Sequence, residues 1–105
     1  MITERDVDRV VDRIVALYDP DRIYLFGSYA KGNATDASDL DLVVVKPTAL
    51  PRPLRGRDVL SVLTGMAFGL DVVFATPDEL AEELTQPYSL YSTIMPTARL
   101  LYARR

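Results

Sequence analysis

Two stretches of this sequence hold residues whose types and spacing can do chemistry. In Leu25-Phe26-Gly27-Ser28-Tyr29-Ala30-Lys31-Gly32 an apolar run ends abruptly in Gly-Ser. A buried strand stops this way at a backbone turn whose N–H groups are free to meet an anion. In Ser38-Asp39-Leu40-Asp41-Leu42-Val43-Val44-Val45 two carboxylates stand two residues apart at the head of a second apolar run. Strand side chains alternate, so Asp39 and Asp41 share one face and Leu40 and Leu42 the other. Two like charges held side by side repel, which is costly unless a cation lies between them. A phosphate-binding turn with a cation-binding carboxylate pair is the equipment of metal-dependent phosphoryl or nucleotidyl transfer. Either half alone is ordinary: Gly27-Ser28 as a strand-to-helix turn, the two acids as a water-facing strand edge, Lys31 as a solvated loop charge.

The elements that must position these residues follow from periodicity. Thr3 to Tyr18 is predicted as a helix, with Thr3 capping it and Asp6 three residues on. Val7, Val10, Val11, Ile14 and Leu17 recur at helical spacing, and the alternating charges Arg5, Asp8, Arg9, Asp12 and Arg13 form a solvated face with local pairs. Asp19-Pro20-Asp21 turns the chain into a first strand, Ile23 to Phe26. Ser28 to Lys31 is expected as a helical turn, and Leu40 to Lys46 as a second strand buried on both faces beyond its acidic edge. The proline-rich stretch from Lys46 to Pro53 is a loop. Arg52, Arg55 and Arg57 form a basic cluster read as a solvated patch, the alternative being contact with triphosphate or with an acidic partner. A helix is expected from Leu54 to about Met66, then a third strand, Leu70 to Ala75. Asp71 lies near the start of that strand, and an acid buried there would need a partner. Thr76-Pro77-Asp78-Glu79 starts a helix to about Leu84. A short helix from Tyr88 to Met95 and a closing strand from Ala98 to Tyr102 complete the chain, with Arg104-Arg105 as a free basic end. The fold class is therefore α/β (α+β): a small mixed sheet of about four strands with helices packed on it, in one domain spanning residues 1–105.

Composition narrows the chemistry. The 105 residues contain no cysteine and no histidine. That excludes thiolate and His-ligated metal sites, disulfides, thiol nucleophiles and His-based triads. Oxygen-ligand metals remain, which favours magnesium or manganese. The net charge of -3 speaks against direct binding to nucleic acid, which needs a cationic surface. No stretch reaches the length of a membrane span, and the charged N-terminus is no signal peptide, so a cytoplasmic location is expected.

Gly27-Ser28, ten intervening residues and Asp39-Leu40-Asp41 resemble the signature of the polymerase-beta-like nucleotidyltransferase superfamily. The fuller strings Gly-Ser-Tyr-Ala-Lys-Gly and Ser-Asp-Leu-Asp-Leu look like its smallest branch, the minimal nucleotidyltransferases of the MntA antitoxin type. The resemblance implies a palm-like fold and two Mg2+ ions, with Mn2+ as an alternative, held by Asp39, Asp41 and a third acid on the next strand, where Asp71 stands. It implies Gly27 and Ser28 on the phosphates of ATP, and Lys31 in the place of the usual arginine, keeping the charge without the bidentate fork. It also implies transfer of AMP to a tyrosine of a HEPN-domain ribonuclease toxin, in a hetero-oligomer with that toxin. Two other readings stay open: a non-enzymatic antitoxin acting by stoichiometric binding, and a nucleotidyltransferase for small molecules.

Overall fold

The computed structural model describes residues 1–105. Thr3 caps helix α1 (Glu4–Tyr18) through a capping box: its hydroxyl accepts from Asp6 N–H, and the Asp6 carboxylate accepts from Thr3 N–H. The helix ends where Asp19 adopts the left-handed conformation, φ 50°, and Pro20 cannot continue it. Then come β1 (Arg22–Phe26), the one-turn helix α2 (Ser28–Lys31), β2 (Leu40–Val45), α3 (Arg57–Leu63), β3 (Leu70–Ala75), α4 (Pro77–Glu83), α5 (Leu90–Ile94) and β4 (Arg99–Ala103). Short 3-10 turns occupy Arg52–Leu54 and Met95–Thr97.

The strands form one mixed sheet in the order β3-β2-β1-β4. β1 runs antiparallel to both β2 and β4, whereas β2 and β3 are parallel. Alternation gives the sheet two faces. Ile23, Leu25, Leu40, Leu42, Val44 and Phe74 meet Val10 and Ile14 of α1 and Val59 and Leu63 of α3 in a core of ten buried residues. The opposite face buries only Phe26, Val43, Val45, Ala75 and Tyr91, with Leu80, Ile94 and Met95 packed on them. Truncating a fully buried side chain such as Ile14 or Leu42 to alanine would cost about 2–5 kcal/mol. The larger core makes the first face the foundation of the fold. The second face is covered over Val43 and Val45, but not at the end where Asp39 and Asp41 lie.

Several sequence expectations are corrected. The third helix starts at Arg57 and ends at Leu63, because Pro51 and Pro53 impose a 3-10 turn before it. The fifth helix is shorter than expected, Leu90 to Ile94, with Ser89 as its cap. The arginine cluster is no solvated patch. Arg55 is buried, donating to Leu50 O (2.8 Å), Phe74 O (3.3 Å) and the Glu79 carboxylate (2.6 and 3.1 Å). Arg52, itself exposed, reaches Glu79 and Glu83, leaving Arg57 as the member without an ion pair. Arg104 is no free tail, since it reaches Asp19 and Asp21 at 3.3 and 3.4 Å. Along the charged face of α1 only one local ion pair forms, Asp6–Arg9 at 3.5 Å.

Candidate active site

One end of the sheet gathers the chemistry-bearing residues, because antiparallel β1 finishes where parallel β2 and β3 begin. Asp41 pairs across with Phe26 of β1 on one side and with Asp71 of β3 on the other. Neighbours in register share a face, so the carboxylates of Asp41 and Asp71 stand side by side on the second face, with Asp39 one step beyond the strand. Asp41 is half-buried, while Asp39 and Asp71 are exposed. Asp71 is thus not the buried acid that its apolar strand suggests: β3 is an edge strand, and its first residues lie open to water.

The electrostatics are those of unrelieved like charge. Burial pushes the Asp41 carboxyl above the usual aspartate range, and the charges of Asp71 and then Asp39 push it further. The three acids do not form a ready-made three-ligand metal cluster. Their donor chemistry nonetheless fits a hard divalent cation: all are carboxylate oxygens, and no cationic side chain forms an ion pair with any of them.

Two glycines make room for these carboxylates. Gly27 has φ 73° and ψ -155°, a conformation reserved for glycine, and a Cβ on it would overlap the Asp41 carboxylate. A Cβ on Gly69 would overlap Asp39 Oδ1, while Gly69 O accepts a 2.9 Å bond from Leu40 N–H. Gly69 reads in sequence only as a turn residue. Its one signal there is position, directly before a strand that pairs with the acidic one.

Gly27 also caps α2, where its carbonyl accepts from Ala30 and Lys31 N–H, both at 3.1 Å. No backbone carbonyl takes up the N–H groups of Gly27, Ser28 or Tyr29. Three free donors in succession at a glycine turn form a concavity suited to an anion. Ser28 opens α2 beside them, and exposed Lys31 follows one turn later. Tyr29 anchors the turn, its hydroxyl accepting a 2.9 Å bond from Ile2 N–H. Every residue singled out in the sequence therefore lies at one end of the sheet: Gly27, Ser28 and Lys31 along α2, Asp39, Asp41 and Asp71 across β2 and β3.

Comparison with known proteins agrees with this arrangement. The family model for the nucleotidyltransferase domain matches residues 7–92. The chain belongs to the nucleotidyltransferase domain family. A Sulfolobus solfataricus protein described as a nucleotidyltransferase shares the fold with a TM-score of 0.62 at 18% identity, over 93% of this chain and 78% of that one. A chain from the structure of a toxin–antitoxin with AMP-PNP shares it with a TM-score of 0.59 at 20% identity, over 93% and 73%. No curated protein gives a match. No helix is long and apolar enough to cross a membrane.

Proposed function

We propose that this nucleotidyltransferase-family protein is a protein adenylyltransferase that moves AMP from ATP to a tyrosine hydroxyl of a partner HEPN ribonuclease toxin and thereby neutralises it. The observation that carries the reading is the side-by-side register of Asp41 and Asp71 next to the free N–H groups at Gly27 and Ser28. The fold shared with a chain of a toxin–antitoxin structure containing AMP-PNP supports the choice of nucleotide and of partner.

In this reading Asp39, Asp41 and Asp71 would hold two Mg2+ ions. When bound, these supply positive charge against the triphosphate and activate the attacking oxygen. Gly27 N–H and the Ser28 hydroxyl bind the terminal phosphates, and Lys31 adds a point charge without a bidentate grip. The phenol oxygen bonds to the α-phosphorus as the bond from that phosphorus to the diphosphate breaks. Diphosphate leaves on the α2 side, and Asp71 accepts the phenol proton. Burial and the neighbouring acids disfavour the ionised form of Asp41, an effect that a bound cation would offset.

Intact-mass spectrometry of the HEPN-domain partner after incubation with this chain, ATP and magnesium tests the proposal. A gain of AMP units that disappears with Asp39→Asn/Asp41→Asn is expected. A tight complex without mass gain, from wild type and variant alike, would overturn the enzymatic reading and leave an antitoxin that acts by binding.

A further inference from the structure

The sheet has two unpaired edges, and they are built differently. β4 is blunted: its register on β1 shifts between Ile23 and Tyr24, and Arg99 stands at its start. Bulges and basic side chains keep a natural edge from taking up another strand. β3 has neither device. Leu70 to Ala75 stay in step with β2 throughout, and none of them is proline, lysine or arginine.

The ladder shows which groups of β3 are free. Leu40 N–H donates to Gly69 O and Lys46 N–H to Ala75 O, both at 2.9 Å. Residues of a strand turn their backbone groups alternately to one neighbour and to the other, so Asp71, Val73 and Ala75 direct N–H and C=O at β2. Leu70, Val72 and Phe74 direct theirs outward. Arg55 takes up the Phe74 carbonyl and closes the far end of the edge. No group in the chain takes up the outward N–H and C=O of Leu70 and Val72.

This open stretch borders the acids. Asp71 lies between Leu70 and Val72, exposed, with its carboxylate beside that of Asp41. The glycine turn follows β1 on one side of β2, and β3 lies on the other side. Displacement at phosphorus sets the attacking and leaving oxygens in line, on opposite sides of the reacting atom. With diphosphate leaving toward α2, the attacking hydroxyl approaches from the β3 side. An antiparallel strand added to the edge would form its hydrogen-bonded pairs with Leu70 and Val72. The residue opposite Asp71 then stands in a non-hydrogen-bonded pair, with Cα atoms about 4.5 Å apart and side chains at their closest. A second copy of this chain fits poorly. Antiparallel pairing of two β3 edges about Val72 sets Asp71 diagonally across from its own image, acid against acid.

Resting on the function proposed above, we infer that the open β3 edge takes an extended segment of the acceptor protein as an added antiparallel strand, with the acceptor tyrosine opposite Asp71. Main-chain bonds to Leu70 and Val72 hold the segment, and their register selects which side chain meets the acids. Val72 is a positioning residue that acts through its backbone.

Amide hydrogen exchange, followed by NMR on the isotope-labelled chain with and without the HEPN-domain partner, tests this. In the free chain the amides of Leu70 and Val72 should exchange fast and those of Asp71 and Val73 slowly, since only the second pair is bonded to β2. With the partner in excess, Leu70 and Val72 should slow by about tenfold or more, and the alternation should vanish. Val72→Pro removes one outward donor and keeps the ladder bonds on either side, because proline is tolerated where the N–H faces away from the sheet. It should raise KM for the partner by about tenfold, the effect of one hydrogen bond, with kcat and the affinity for ATP and magnesium nearly unchanged. The exchange measurement uses the wild-type chain alone and decides the question if Val72→Pro does not fold. Alternation that persists while AMP passes to the partner would overturn the inference and leave the proposed reaction standing. Protection in the free chain that grows with its concentration would overturn it too, by assigning the edge to a second copy. If the partner protects both amides and no AMP passes, the proposed reaction fails while the docking edge stands.

Discussion

Strand β3 meets charge at both ends, and the two ends treat it in opposite ways. At its start Asp71 lies beside Asp41 and near Asp39, three acids with no cationic partner, one of them held above its ordinary pKa by burial and by the other two. At its far end the Phe74 carbonyl accepts from Arg55, whose guanidinium is also closed by Leu50 O and by Glu79. There the Arg55 hydrogen bond chiefly, helped by the Thr76 N–H bond, lowers the Glu79 carboxyl from 4.5 to about 2. Opposite charges that satisfy one another build structure. Like charges left facing one another oppose folding, which makes the first cluster the candidate place for a ligand and the second a fastening between the 50–55 turn, β3 and α4.

Substitutions should separate the two ends cleanly. Asp41→Asn should lower nucleotide transfer by about 10³-fold, the loss of several kcal/mol of transition-state stabilisation. The same change should raise the melting temperature in the absence of divalent cation, since it removes a repelled, half-buried charge. A variant that lost activity and stability together would break the comparison, because the acidic end would then be structural too.

At the other end, Glu79→Ala should cost about 3 kcal/mol, the penalty for leaving a buried guanidinium without its carboxylate. The folded fraction should keep its affinity for ATP. Replacing both partners, Arg55→Met with Glu79→Leu, should restore much of that stability, because no charge is then left buried and unpaired. Chemical denaturation of the three proteins decides this, and a double variant no better than the single would show that the Arg55 bonds to Leu50 and Phe74 dominate.

Acid titration gives the smallest and sharpest contrast. A carboxyl with a depressed folded pKa contributes stability that is complete above its unfolded value and is lost as pH falls through the folded one. For Glu79 that window runs from 4.5 down to about 2. Asp41 has the opposite sign: its folded pKa is raised, so its ionisation opposes folding, and acidification toward that pKa relieves the strain. Glu79→Gln should therefore flatten the acid limb of a stability–pH curve, whereas Asp41→Asn should remove a gain on acidification just above the ordinary aspartate range.

Much of this was legible in the chain. β3 occupies Leu70–Ala75 as its apolar run, interrupted only by Asp71, suggests, and the Thr3 and Thr76 capping boxes begin their helices where the spacing of Thr, Pro and acid places them. Gly27, Asp39 and Asp41 could be singled out because each is a local anomaly, a glycine or an acid interrupting an apolar run. Arg55 could not, since a buried arginine and an exposed one have the same neighbours in sequence, and Glu79 lies 24 residues away. Gly69 was missed for a related reason, as its missing side chain matters only because Asp39 of another segment lies against it.

By itself, then, the sequence determined the order and kind of the elements, the absence of any Cys or His ligand, and which carboxylates and which glycine turn are the candidates for chemistry. These are properties of local periodicity and residue chemistry. Only the tertiary structure decided that Asp41 and Asp71 stand in register, that Arg52 and Arg55 are committed to α4, and that Asp71 is open to water. Those outcomes depend on which strand lies beside which and on what covers each face, and strand pairing is settled by burial summed over the whole sheet rather than by any one segment.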